Sequence, residues 1–424
     1  MKPRIGTIVV GIACLALGAA IQRGYDSWQA TLSQSASAGR PPVETSASAV
    51  KAAAPIWTPL SVERSKISYA NQPMWAWGVT EPPKPDEKQA VQGDPNAPVN
   101  NRLASLTPDE LNRKRRTRGS NLEFSFAEIR NINAENPAGG GNVVDWFPDD
   151  HPNPMPDIIK HGPAALGKTG RACGSCHLSD GSGRPENASP AGLPAGYIVR
   201  QLTDFKNDLR HSSDARKANT NTMTMLAKAM TEDEMKQAAA YFSSVKWRPH
   251  VRVVETSVVP KTQIQGELFI PTGEKGTEPI GNRIIEVPTD VEENQVLRSS
   301  HGTWIAYVPV GAIRKGRELV TNGGMKVVNG QIVQGKTTAC GACHREDLLG
   351  VAPDVPPLAG RSPSYLARQI FDIQQGVRNG SNSNVTLMRM VVDKLTAEDI
   401  INITAYLASQ SVPGPASSQM LTRR

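Results

Sequence analysis

Apolar positions recur at helical spacing in two places that mirror each other. Met235, Ala238, Ala239 and Phe242 mark one buried helix face, behind Thr231 as N-cap and Glu232, Asp233 and Glu234 in the first turn. Ile400, Ile403, Thr404 and Leu407 repeat that spacing behind Thr396. Tyr197-Ile-Val-Arg-Gln-Leu202 is matched by Tyr365-Leu-Ala-Arg-Gln-Ile370, and Tyr241 by Tyr406. Short helices are read at Pro156–Lys160 and Ile313–Val320. The pattern is an internal duplication, which predicts two helical units of the same order. Between them the period changes to that of short strands: Val251–Thr256, Leu268–Ile270, Arg283–Val287 and Trp304–Val308, separated by Pro and Gly.

The ends read differently. Ile5 to Ile21 is almost wholly apolar behind Lys2 and Arg4, and predicts a signal peptide or a membrane anchor. Residues 24–56 are rich in Ala, Ser and Pro and bury no core. In 57–140, Trp57, Trp75 and Trp77 indicate docking onto a folded body. Thr107 and Pro108 open a helix read as continuing through Arg113, Lys114, Arg115, Arg116 and Arg118. That basic run reads as a solvated face rather than a docking patch. The expected divisions are therefore 1–23 signal or anchor, 24–56 linker, 57–140 extension, 141–250 first helical domain, 251–310 β-structured connector, 311–412 second helical domain and 413–424 disordered tail.

The repeats carry the chemistry. Cys173-Gly-Ser-Cys176-His177 and Cys340-Gly-Ala-Cys343-His344 are Cys-x-x-Cys-His motifs, the haem c attachment signature. Two thiols add to the two vinyl groups of one haem, and the adjacent His binds its iron. A thiol redox pair would need a preceding strand, and a four-cysteine zinc knot would leave both histidines without a role. Four of five cysteines sit in the motifs; Cys14 lies in the apolar start. Met223-Thr-Met225 and Met388-Arg-Met390 stand at equal distances before the capping threonines, so one Met of each pair is the candidate sixth ligand. Arg200 and Arg368 occupy equivalent positions and suit haem propionates, against a bland reading as exposed helix residues. The chain has 424 residues and a net charge of +7, too mild an excess for nucleic-acid binding but favourable to an acidic partner. Aromatic residues are 5%, and two haems would add large apolar bodies for small side chains to pack on.

Both units resemble class I cytochromes c, and the pair resembles the periplasmic di-haem cytochromes c. The resemblance rests on the two motifs, the Tyr-x-x-Arg-Gln segments and the Met-rich runs, across about 141–412. It implies a mainly α protein of two tandem cytochrome c-like domains with two covalently attached haem c groups. It selects Met223 and Met388 as ligands, although the family pattern Met-x-Pro-Val lacks its Pro here, so Met225 and Met390 stay as rivals. It also implies that a Pro carbonyl accepts from the iron-binding His: Pro356 in the second unit, Pro190 in the first. The function it implies is an exported, non-enzymatic electron carrier in the periplasm, with or without an inner-membrane anchor. Its partners would be a dehydrogenase donor and an oxidase or other cytochrome acceptor. The alternatives are a peroxidase-like enzyme with one open haem, and the cytochrome subunit of a dehydrogenase.

Overall fold

Tryptophans anchor the start of the described chain. The structure is a computed structural model that describes residues 66–84, 86–88, 90, 106–132, 141–380 and 383–412. The apolar start, Cys14, the linker, Trp57 and the tail lie outside them. Trp75 and Trp77 are buried in one 3-10 turn, Met74–Trp77. Trp77 donates to Ser212 Oγ at 3.0 Å and meets Phe371 edge-on at 5.6 Å.

Helix α1 (Pro108–Asn112) begins at a Thr107–Glu110 capping box. It ends at Arg113, whose ψ of 123° leaves the helical region. The basic run is therefore not on a helix, a correction to the sequence reading. Lys114–Arg115 form β1, antiparallel to β2 (Phe124–Ser125), and α2 (Phe126–Arg130) follows. The cations are absorbed internally: Lys114 by Glu128 at 2.6 Å, Arg115 by Glu292 at 2.7 Å and Arg116 by Glu123 at 2.8 Å.

The first lobe holds α3 (Asp157–His161), α4 (Cys173–His177), α5 (Ala195–Lys206), α6 (Ala218–Ala229) and α7 (Glu232–Ser244). A β region follows. β3 (Val251–Glu255) pairs parallel to β9 (Trp304–Val308), with Val251 opposite Trp304, and β8 (Ile285–Pro288) pairs antiparallel to β9. Two ribbons flank this sheet: β4 (Val258–Pro260) with β7 (Thr277–Pro279), and β5 (Thr262–Gln265) with β6 (Leu268–Pro271). Strands β4, β5 and β7 were not expected from sequence. The second lobe holds α8 (Ala312–Asn322), a hairpin of β10 (Lys326–Val328) and β11 (Gln331–Val333), α9 (Gly341–His344), α10 (Pro363–Gln374), α11 (Ser383–Val392) and α12 (Ala397–Ser409).

So the chain is mainly helical with some strands, and the order α5-α6-α7 returns as α10-α11-α12. Both closing helices begin at capping boxes, Thr231 with Glu234 and Thr396 with Asp399. Both Met-rich runs are helices. One apolar cluster joins Trp75 and Trp77, the sheet and the second lobe. The lobes meet at Arg210 and Arg378, which form an antiparallel bridge. Arg210 donates to Gln201 and Gln369 at 2.8 Å each; Arg378 donates to Tyr197 OH at 2.6 Å and Gln201 at 3.0 Å.

Candidate haem sites

Each motif is one helical turn ended by a left-handed residue, Leu178 (φ 64°) or Arg345 (φ 68°). That bend turns the chain back, so Gly183 N donates to His177 O at 2.9 Å and Gly350 N to His344 O at 3.0 Å. Both glycines have positive φ. A Cβ on Gly183 would lie 2.3 Å from Ala188 O, and one on Gly350 2.3 Å from Val355 O. Only glycine permits this close return.

The returning loops clamp the histidines. His344 Nδ1 lies 2.9 Å from Pro356 O, as the resemblance implies. His177 Nδ1 lies 2.8 Å from Ala188 O, so the expected acceptor Pro190 is corrected to Ala188. Backbone register decides this. Ala191 N bonds Gly181 O as Ala359 N bonds Leu348 O, which sets Ala188 opposite Pro356. A carbonyl oxygen only accepts, so Nδ1 is the donor and Nε2 carries the lone pair that a metal needs. Burial lowers the pKa of both imidazoles, which keeps them neutral.

Around His177 lies an empty space of about 1230 Å³, its open mouth included. Cys173, Cys176 and Met223 line it together with apolar side chains such as Leu202, Phe205 and Phe242. Neither thiol is in a disulfide. Met225 does not line the space, because residues two apart on a helix point to different sides. Met230 does line it; its counterpart in the second lobe is Leu395, a core residue. In the second lobe Cys340 is half-buried, Cys343 exposed and His344 buried. Met388 packs on the core of that lobe, while Met390 is 73% exposed.

The polar end of the first cavity is built by both lobes. Gln201, Arg210 and Lys217 line it from one side, Tyr365, Arg368 and Gln369 from the other. Lys217 Nζ donates to Glu186 O at 2.8 Å and pairs with Glu267. Arg368 is buried and donates to Ala76 O at 2.5 Å and Pro185 O at 2.6 Å. It therefore borders the first cavity rather than its own lobe's motif. Arg200 does not line the cavity; it pairs with Asp354 in the loop after the second motif. Each of the two arginines thus crosses to the other lobe. Sequence reading missed Arg210 and Lys217. Counting thirteen residues on from Tyr197 and from Tyr365 reaches Arg210 and Arg378, a signal the duplication offers.

Two thiols, an imidazole whose Nε2 lone pair is available, apolar walls and the cations Arg210, Lys217 and Arg368 form a donor set and lining that fit a covalently held haem and its carboxylates. The two cysteine pairs are not brought together: among the described residues no group of three or more His, Cys, Asp or Glu is placed to hold a metal.

The cytochrome c family model matches residues 164–246 and 327–411. Cytochrome c-554(548) of Halomonas halodenitrificans is 41% identical over 75 residues, 18% of this chain and 88% of that protein. Cytochrome c4 of Azotobacter vinelandii is 37% identical over 93 residues, 21% of this chain and 44% of that protein. A thiosulfate dehydrogenase electron acceptor of Stutzerimonas stutzeri (strain A1501) is 24% identical over 249 residues, 58% of this chain and 80% of that protein. The matched stretches span under half the length of the cytochrome c4 relatives. With a haem-binding motif, clamped histidine and family match in each lobe, this chain belongs to the cytochrome c family and carries two covalently attached haem c groups.

Proposed function

We propose that the protein carries single electrons between redox partners in the periplasm, with His177 and Met223 as axial ligands of the first haem and His344 and Met388 as those of the second. Bound haem supplies an iron that takes up and gives back one electron. The chain's own residues orient it, exclude water and set its potential. The observation that carries the reading is the pair of matching clamps, His177 to Ala188 O and His344 to Pro356 O, each in a lobe whose Met-bearing helix has the same place. A thioether ligand closes the distal face and favours electron transfer over ligand chemistry, which weighs against the peroxidase-like alternative.

The likeness to a thiosulfate dehydrogenase electron acceptor favours a more specific setting. There the protein takes electrons from a dehydrogenase, as a partner or subunit, and passes them to an oxidase or another cytochrome. Among the described residues no helix is long and apolar enough to cross a membrane, and the apolar start lies outside them.

The test is the oxidised optical spectrum. A weak far-red band from sulfur on ferric iron is expected, with about half its intensity lost in Met223→Ala and half in Met388→Ala. Met225→Ala and Met390→Ala should leave it intact. A wild-type protein with a high-spin haem would sink the two-ligand reading.

A further inference from the structure

The loop after each motif carries the carbonyl that clamps the histidine, and the two loops are held by different means. In the second lobe the backbone holds itself. Val351 N donates to Val355 O at 2.9 Å and Val355 N to Val351 O at 2.8 Å, just before Pro356. Arg200 of the first lobe reaches that loop through the Asp354 side chain, not its backbone. In the first lobe the loop turns at Asn187, whose N donates to Arg184 O at 2.8 Å, and side chains from elsewhere tie its carbonyls. Pro185 O accepts from Arg368 and Glu186 O from Lys217. Ser189 O and Ala191 O both accept from Arg361, at 2.7 and 3.0 Å.

Arg361 belongs to the second lobe, just before Ser362, the N-cap of α10. It is 3% exposed, and its guanidinium lies 3.9 Å from the centre of a Trp247 ring. Backbone on one side and a side chain on the other fix its place: Gly360 N donates to Leu407 O at 2.9 Å, and Ser362 Oγ to Glu286. Among the described residues no carboxylate pairs with Arg361, so its cation is directed at the two carbonyls and the indole. Burial lowers its pKa to about 9, so the fork stays charged at pH 7. A planar guanidinium with two bonds sets distance and direction together, and a charged donor binds a carbonyl more strongly than a neutral one. The first-lobe counterpart is Leu193, which has no donor, so the reverse contact cannot form.

We infer that Arg361 is a positioning residue for the first haem's iron ligand: by gripping Ser189 O and Ala191 O it holds Ala188 O against His177 Nδ1. The gripped carbonyls follow Ala188 directly in the chain, so the oxygen that clamps His177 sits at the end of a fixed segment. The inference rests on the axial-ligand reading of His177. A carbonyl on the second ring nitrogen fixes the orientation of a ligating imidazole and raises its basicity. The second lobe thereby acts on the iron ligand of the first.

The test follows the Nδ1 protons of His177 and His344 by NMR, as their exchange with water, in reduced, haem-loaded, full-length protein. Exchange requires the clamp to open, so it reports that bond. Arg361→Leu puts the first-lobe residue type at this position. It should speed exchange at His177 about tenfold and leave His344 within about twofold. A merely structural role would first loosen the lobe that contains Arg361, so His344 would quicken at least as much. Arg361→Lys keeps the charge but not the fork, and should give a smaller acceleration, again at His177 only. It serves as the test if the Leu variant does not fold. Acceleration at His344 equal to or above that at His177, or none at either, overturns the proposal. Wild-type protein whose His177 ring protons lack the upfield displacement that a porphyrin face imposes would instead sink the axial-ligand reading.

Discussion

In the first lobe the helix that enters the motif is five residues long, Asp157–His161; in the second it is eleven, Ala312–Asn322. The short helix leaves the first motif to be covered from elsewhere, by the segment at Val143, by Arg298 and, at the polar end of its cavity, by Arg368 of the other lobe. The long helix gives the second lobe its own crossing against α12, yet leaves the Cys343 side open. One duplicated frame thus gives one enclosed site and one exposed site. The difference lies in what packs around the frame, not in the histidine clamps, which are nearly identical. Burial and nearby charge are the usual levers on haem potential, so the two sites should differ in it.

The largest test of this contrast is at the crossing. A Cβ on Gly316 would lie 1.8 Å from Asn402 O, a backbone atom that cannot swing aside. Gly316→Ala should cost about 3 kcal/mol of stability by denaturant unfolding, the upper end for overpacking. Loss below about 1 kcal/mol would mean that the α8–α12 contact is not what holds the second lobe.

A second test concerns a carboxylate that only the second lobe accommodates. Glu286 is 1% exposed and accepts from Ser362 Oγ at 2.9 Å and Ser364 Oγ at 2.7 Å. The first-lobe counterparts of those serines are Pro194 and Gly196, with no hydroxyl to offer. Burial pushes Glu286 up to about 7, against the lowering effect of both serines. Between its unfolded value near 4.5 and about 7 the folded chain holds a proton that the unfolded chain has released. Stability contributed by this group is full below that window and is lost as pH rises through it. Each pKa unit is about 1.4 kcal/mol, so the ceiling is about 3 kcal/mol and the expected effect roughly 2. Glu286→Gln should therefore be more stable than wild type at pH 8 and equal to it at pH 4. Thermal melts at both pH values decide this; a variant less stable at pH 8 would show that the ionised form is the one held.

The third test separates the two potentials. Arg210, Lys217 and Arg368 line the first cavity, and buried positive charge disfavours the more positive, oxidised iron. The first haem should have the higher midpoint. Arg368→Gln should lower that midpoint by about 59 mV, a tenfold change for one electron, and leave the other within error. Equal shifts in both midpoints would mean that Arg368 acts through the interface rather than on the first site.

Much of the frame was legible. Thr231 and Thr396 announced their helices because a cap and its acids are local signals, and the two pentapeptides fixed the haem sites. The covering elements were not legible. Arg298 reaches Ser175 from more than a hundred residues away, and no local pattern encodes that. The Ala188 clamp uses a backbone carbonyl, so its side chain carries no mark. Arg200 and Arg368 stand at equivalent helix positions, but sequence equivalence does not say which lobe each one faces, and only Arg368 lines the first cavity. Asn329-Gly330 between Val327-Val328 and Ile332-Val333 is a strong hairpin signal, and both residues have the positive φ that such turns require.

The smallest expected effect is on the outer face of the long entry helix. Lys315 pairs with Glu398 at 2.7 Å, and both side chains are about half exposed. Arg314 and Glu318 make an i,i+4 pair beside it at 3.0 Å. If the second lobe owed its self-sufficiency to surface ions, Lys315→Ala would approach Gly316→Ala in cost. Exposed pairs are screened and must order two long side chains, so their net worth is at most about 0.5 to 1 kcal/mol. The adjacent positions 315 and 316 therefore offer a controlled comparison on one helix turn. Lys315→Ala should shift unfolding by less than about 0.5 kcal/mol at 0.15 M salt, and the shift should shrink further at 1 M. A salt-insensitive loss near that of Gly316→Ala would place the strength of this lobe in its charged rim instead of its buried crossing.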